Sequence, residues 1–262
     1  MSSAGSTQEA PYEFIYVPGI PGRGEYIRLA FIEAGVPYTD TAFTESCMDT
    51  LAAYTSDENA GDASNPPPFA SPILKHGELV ISQTCNILMY LGPRLGLAAA
   101  SSTPSRENDA YKINALAMTA HDGFGTEVHN CHHPIATDFY YEEQRDESVR
   151  ASKNWVKNRL PKYLGYFEKV LAGEASGEGP WLYGGVLTWA DLVLFQSIHG
   201  LEYMFRKAMK AAKESGRYTR VFQLYEAVKA RPRIAEYMAS DRRLKYANGL
   251  YRYYEELDVV AE

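Results

Sequence analysis

The chain has 262 residues, 45% of them hydrophobic, and a formal net charge of −7, which fits one large or two ordinary soluble domains. The acidic balance leaves no basic surplus to neutralise phosphates, which argues against a nucleic-acid partner. No apolar run approaches the ~18 residues needed to span a bilayer, so no membrane role is expected.

Residues 1–11 are small and polar, with neither a basic start nor an apolar stretch, and read as a disordered tail rather than a secretory signal. Tyr12 to Val17 is rich in aromatic and β-branched residues and predicts a strand. Pro18, Gly19, Pro21 and Gly22 then break it into a loop. Ile27, Ala30, Phe31 and Ala34 follow at i, i+3, i+4, i+7, a helix with one apolar face, which Gly35-Val36-Pro37 stops. A second strand is expected from Tyr38 to Phe43. The polar stretch from Thr44 to Asn65 reads as a short helix plus loop. Ile73-Leu74-Lys75 and Leu79-Val80-Ile81 flank a tight turn and predict a hairpin. Helical spacing returns from Ser82 to Leu91, with Gly92-Pro93 as its stop. The order β-α-β-(α)-β-β-α predicts an α/β thioredoxin-like domain over residues 12–97.

A linker is expected from Ala98 to Arg106, and residues 106–262 read as an all-helical domain. Its clearest signal is Thr188-x-x-Asp191, a short variant of the capping box, with Leu187 and Leu192 at the staple positions. This motif is expected to nucleate a buried helix and to bind nothing. The three cysteines, Cys47, Cys85 and Cys131, include no Cys-x-x-Cys pair and suggest a reducing compartment. Many of the twenty tyrosines suit half-buried helix faces, a ring with a polar tip.

A strand ending in Tyr16, a Gly22-Arg23-Gly24-Glu25 helix start, a proline-led hairpin and a Gln83-Thr84 helix start together resemble the cytosolic glutathione S-transferases. The capped Thr188 helix in an all-helical second half matches as well, so the resemblance runs from Tyr12 onward. It implies glutathione as co-substrate, a small hydrophobic electrophile as second substrate, a cytoplasmic homodimer and a role in detoxification. Tyr16 holds the position of the catalytic tyrosine in the tyrosine-type classes (Sigma, Pi, Mu, Alpha). The loop Val17 to Gly24 lacks the Ser or Cys of the other classes. Pro72 resembles the family's cis-proline, with the backbone of Ile73 then free to pair with glutathione. Gln83 and Thr84 resemble the pair that receives the γ-glutamyl carboxylate at a helix start. Asp122 is the candidate for a carboxylate lent across the dimer.

The chemistry asked of Tyr16 is modest. A free thiol has a pKa near ~8.5, and lowering it by about two units needs roughly 2.7 kcal/mol. One hydrogen bond to a charged group supplies about 1.5–3 kcal/mol. Two departures from the family pattern stand out. The loop after Tyr16 is one residue longer than expected, with Pro21 where several classes carry Arg. No Lys, Arg or Trp occurs from Leu29 to Leu74, the stretch that usually holds the glycyl carboxylate. Arg28, Lys75 or a partner subunit must then substitute, or glutathione binds weakly.

His129, His132 and His133 would share a helix face near Glu127 and Cys131 and could ligate zinc. Pro134 follows at once and the spacing matches no established ligand pattern, so a helix end is expected and no metal. The same glutathione site could serve an isomerase, lyase or peroxidase. A non-catalytic ligand carrier of the same fold is the other alternative.

Overall fold

The computed structural model describes residues 10–98 and 108–260. Most of the expected tail and linker lies outside them, so the domain limits at 12–97 and 106–262 stand as a proposal. Four strands form one mixed sheet in the order β2-β1-β3-β4. β1 (Tyr12–Ile15) pairs in parallel with β2 (Tyr38–Asp40) and antiparallel with β3 (Ile73–His76), which continues into β4 (Leu79–Ser82). The sheet buries Phe14, Ile15, Ile73 and Leu74 completely. Helices α1 (Glu25–Ala34) and α3 (Thr84–Arg94) supply Ile27, Phe31, Ile87, Leu88 and Leu91, all fully buried in the same core. This is the thioredoxin-like order read from the sequence. α1 ends where expected, at Gly35 in the left-handed conformation with φ +68°, a position that glycine fills without strain.

The first strand ends at Ile15 rather than Val17, and two further local readings differ. The second strand stops at Asp40 rather than Phe43, because the Asp40 carboxylate accepts the Ala42 N–H at 3.1 Å and turns Thr41–Phe43 into a 3₁₀ turn. Gly92-Pro93 does not end α3, which runs to Arg94. Gly92 has a packing role instead: a Cβ there would meet the Trp189 ring at 2.1 Å. The glycine lets a helix of the second half approach α3 closely. Pro93 sits in the last turn, and Leu95 closes the helix by donating to the Leu91 carbonyl.

The second half is helical. α4 (Asp109–His121) passes through a wider π turn (Asp122–Thr126) into α5 (Glu127–His129). α6 (Arg145–Asn154) and α7 (Leu160–Leu171) are joined by a second π turn. α8 (Trp189–Met204) is the central helix, followed by α9 (Arg206–Glu214), α10 (Thr219–Lys229) and α11 (Pro232–Met238). Beyond α11 the chain is irregular apart from one 3₁₀ turn. The terminal tyrosines therefore pack from an irregular strap rather than from a helix. Tyr251 is buried, shares a hydrogen bond with the Tyr26 hydroxyl at 2.8 Å and donates to the Phe124 carbonyl.

The two halves are joined through α1. Tyr237 donates to buried Glu25 at 2.7 Å, and Arg243 lies 3.1 Å from the same carboxylate. Arg231 and Glu33 make a further ion pair.

Candidate functional site

Between the hairpin, the start of α3 and the inner face of α4 lies a cavity of about 550 Å³, within the range of small-molecule sites. Ser71, Pro72, Gln83, Thr84, Cys85, Arg23, His121 and Asp122 are among its walls. The Ser71–Pro72 peptide is cis.

The start of α3 is open. Gln83, its N-cap residue, has φ +74°, makes no side-chain cap hydrogen bond, and is the one non-glycine residue with positive φ among the described residues. Such a conformation in a non-glycine residue is strained and tends to mark functional sites. Thr84 is 3% exposed, yet its Oγ1 has no hydrogen-bond partner. A buried hydroxyl without a partner is unfavourable by about 1–3 kcal/mol unless something else satisfies it. The first backbone N–H groups of an 11-residue helix point the same way.

Tyr16 is placed differently. Its hydroxyl accepts the Arg23 N–H at 2.7 Å, and burial raises its pKa despite backbone bonds from Gly24 and Arg23. It is therefore a neutral phenol at pH 7, a donor rather than an anion. The ring lies beneath the Gly22–Gly24 turn: a Cβ at Gly22 would stand 2.2 Å from the hydroxyl oxygen, and one at Gly24 2.7 Å from the ring. Only glycines allow that approach. Tyr16 does not itself line the cavity; Arg23, directly above it, does. Ile73 is also outside the lining. It sits inside the sheet, opposite Ile15 on one side and Ser82 on the other. Ser71, one residue ahead of Pro72, faces the cavity instead.

The charged groups sort cleanly. Arg28 is buried against Asp40 at 2.7 Å and Glu25 at 3.5 Å. Lys75 pairs with Glu13 at 3.9 Å. Arg28 is taken up by its buried partners, and neither residue lines the cavity. Arg23 is the one Lys or Arg among the cavity's lining residues; the sequence shows it only as part of the Gly22–Glu25 helix start, with nothing local to mark its place on the wall. Burial, reinforced by Arg23, pushes His121 down to about 4. A neutral imidazole makes no ion pair with Asp122, although the two stand 3.8 Å apart. Burial and Asp122 push Cys85 up to about 12, so this cavity cysteine stays a thiol and is a poor nucleophile. Asp122 is 67% exposed and borders its own chain's cavity.

The comparisons with known proteins agree with this architecture. The family model "Glutathione S-transferase, C-terminal domain" matches residues 129–241. A glutathione S-transferase 1 of Ascaris suum is 27% identical over 228 residues, 87% of this chain and 95% of that protein. Glutathione S-transferase P 1 of Xenopus laevis is 24% identical over 234 residues, 89% of this chain and 94% of that one. The crystal structure of the Ascaris lumbricoides glutathione S-transferase superposes with a TM-score of 0.61 at 26% identity, covering 90% of this chain and 98% of that one. Over most of its length this chain is similar to glutathione S-transferases. The mixed sheet followed by a helical half is the family's architecture, and the cavity sits where the two halves meet.

Proposed function

We propose that the protein binds glutathione in the α3 cavity, activates its thiol and conjugates it to a small hydrophobic electrophile, as a tyrosine-type transferase. The observation that carries the reading is the open start of α3: a buried Thr84 hydroxyl without a partner beside left-handed Gln83, where a carboxylate would complete the helix. Gln83 and Thr84 hold the γ-glutamyl end in this reading, and the Ser71–Pro72 corner lines the cysteinyl part. Arg23 offers the cavity's positive charge to the thiolate. Tyr16, kept neutral by burial, donates its hydroxyl hydrogen to sulfur once the Gly22–Gly24 turn yields to the ligand.

A cytoplasmic homodimer engaged in detoxification fits the family and is part of the proposal. Among the described residues, Phe69 is 92% exposed beside Pro66-Pro67-Pro68, and Tyr111 and Met118 are exposed on α4. These are apolar groups suited to a second subunit. No helix among the described residues is long and apolar enough to cross a membrane.

A glutathione-binding member without transferase activity is the second reading, favoured by one observation: Tyr16 is covered rather than facing the cavity. Thiolate absorbance of the glutathione complex, titrated against pH, separates the two. The transferase reading predicts that bound thiol ionises about two units below the free value, and that Tyr16→Phe returns it toward the free value without unfolding the chain. An identical curve for wild type and Tyr16→Phe removes Tyr16 from the mechanism. Turnover of a panel of electrophiles then identifies the second substrate.

A further inference from the structure

The helical run from Asp109 to His129 ends in a turn that carries three histidines. The His133 N–H donates to the His129 carbonyl at 3.2 Å, so the two residues stand i, i+4 on one face of a helical turn. Their rings stack at 4.8 Å with 8° between planes. This is the spacing at which two helical imidazoles chelate a single metal ion. His132 brings a third ring, 4.9 Å from His129 and 4.7 Å from His133. One ring nitrogen from each histidine lies within 4.8 Å of the other two.

The hydrogen bonds assign the tautomer of His132. Its Nε2 is 3.1 Å from the Leu250 carbonyl, a pure acceptor, so Nε2 carries the hydrogen and Nδ1 a lone pair. That lone pair faces Nδ1 of His133 at 2.6 Å. Two ring nitrogens so placed need a positive centre between them, either the His133 proton or a metal ion. A backbone carbonyl holding the far N–H of an imidazole is also the usual outer-shell support of a metal-bound histidine. Two other donors considered from sequence are excluded. The Cys131 Sγ donates to the Glu127 carbonyl. The Glu127 carboxylate is held by Arg159 and Tyr163.

We propose that His129, His132 and His133 form a three-imidazole site for one divalent transition-metal ion of the Zn²⁺, Ni²⁺ or Cu²⁺ kind. A set of neutral nitrogens without a carboxylate selects these ions over Mg²⁺ and Ca²⁺. Tetrahedral bonds of ~2.0–2.1 Å set nitrogens about 3.3 Å apart. The His132–His133 pair therefore opens slightly on binding, while half-buried His129 swings in. None of the three lines the α3 cavity, so the ion does not meet the ligand there. Its influence runs through the C-terminal strap: Leu250 is bound to His132, and neighbouring Gly249 packs against Gly22 and Ile20 in the loop over Tyr16. The ion braces that strap.

The test uses the full chain, free of any affinity tag and stripped with EDTA. Calorimetry with Zn²⁺ and electron paramagnetic resonance with Cu²⁺ should show one ion per chain, with hyperfine structure from several imidazole nitrogens. Mg²⁺ should give no binding heat, and Zn²⁺ should raise the melting temperature. His129→Gln and His133→Gln, each shown to be folded by circular dichroism, should weaken Zn²⁺ by at least about tenfold. Absence of saturable Zn²⁺ binding by the wild type overturns the proposal. So does undiminished binding by the folded variants, which would place the ion elsewhere.

Discussion

The starts of α3 and α8 each carry a threonine, and they are built for opposite purposes. At the start of α8, Asp191 is fully buried and accepts the Thr188 N–H at 2.7 Å, the Thr188 hydroxyl at 2.8 Å and the Leu182 N–H at 2.7 Å. The helix closes on itself with its own carboxylate, and Trp189 beside it seals against Gly92. At the start of α3, Gln83 is left-handed and makes no side-chain cap, and the Thr84 hydroxyl is buried without a partner at the wall of a cavity. The same physical demand, satisfying the free N–H groups of a helix, is met internally in one case. In the other it is left for a ligand. An unmet buried donor beside a cavity is thus a better guide to binding than the residue type at the cap.

Substitution at the closed start should have the largest effect. Asp191→Ala leaves two buried N–H groups and a hydroxyl without an acceptor, each worth about 1–3 kcal/mol. We expect a loss of roughly 3 kcal/mol or more in urea unfolding, and a loss under about 1 kcal/mol would contradict the account. The pH dependence sharpens the point. Burial outweighs the three hydrogen bonds and raises Asp191 from 3.8 to about 6. A group whose pKa is raised on folding stabilises fully below its unfolded value and loses that contribution as pH rises through its folded value. The stability of the wild type relative to Asp191→Asn should therefore fall between pH 4 and pH 7. A flat difference would show that Asp191 is not desolvated.

The smallest expected effect concerns the other end of the ligand. Arg28 and Lys75 are engaged with Asp40, Glu25 and Glu13, and no Lys, Arg or Trp occurs from Leu29 to Leu74. The glycyl carboxylate then lacks a charge-assisted contact worth about 1.5–3 kcal/mol. Glutathione and its glycine-carboxyl amide should bind within about threefold of each other. A tenfold preference for glutathione would reveal a cation at that end, either Arg23 of the cavity wall or one from a partner subunit.

The sequence made the order of elements, the end of α1 at Gly35 and the Thr188–Asp191 box legible, because each rests on local chemistry: β-branched and aromatic runs between turns, a left-handed glycine, a capping pair. It also pointed to Pro72, Gln83 and Thr84, which the fold gathers in one cavity. What it missed depends on residues distant in sequence. Gly92 read as a helix stop, but its meaning lies with Trp189, almost a hundred positions away. Tyr16 stood at the expected strand end, yet its cover comes from Gly22 and Gly24 and from the strap at Gly249. The histidines read as a helix end because no spacing rule includes the carbonyl of Leu250.

The comparison of the two starts has one direct test, the melting temperature of Thr84→Val and Thr188→Val with and without saturating glutathione. Valine keeps the branched shape and removes the hydroxyl. Thr84→Val should melt at or slightly above the wild type without ligand, since it deletes an unpartnered buried group, and should lose most of the glutathione-induced rise. Thr188→Val should melt lower without ligand and keep that rise. A Thr84→Val variant that is destabilised on its own yet responds fully to glutathione would show that α3 starts like α8, and that glutathione, if bound, is held elsewhere.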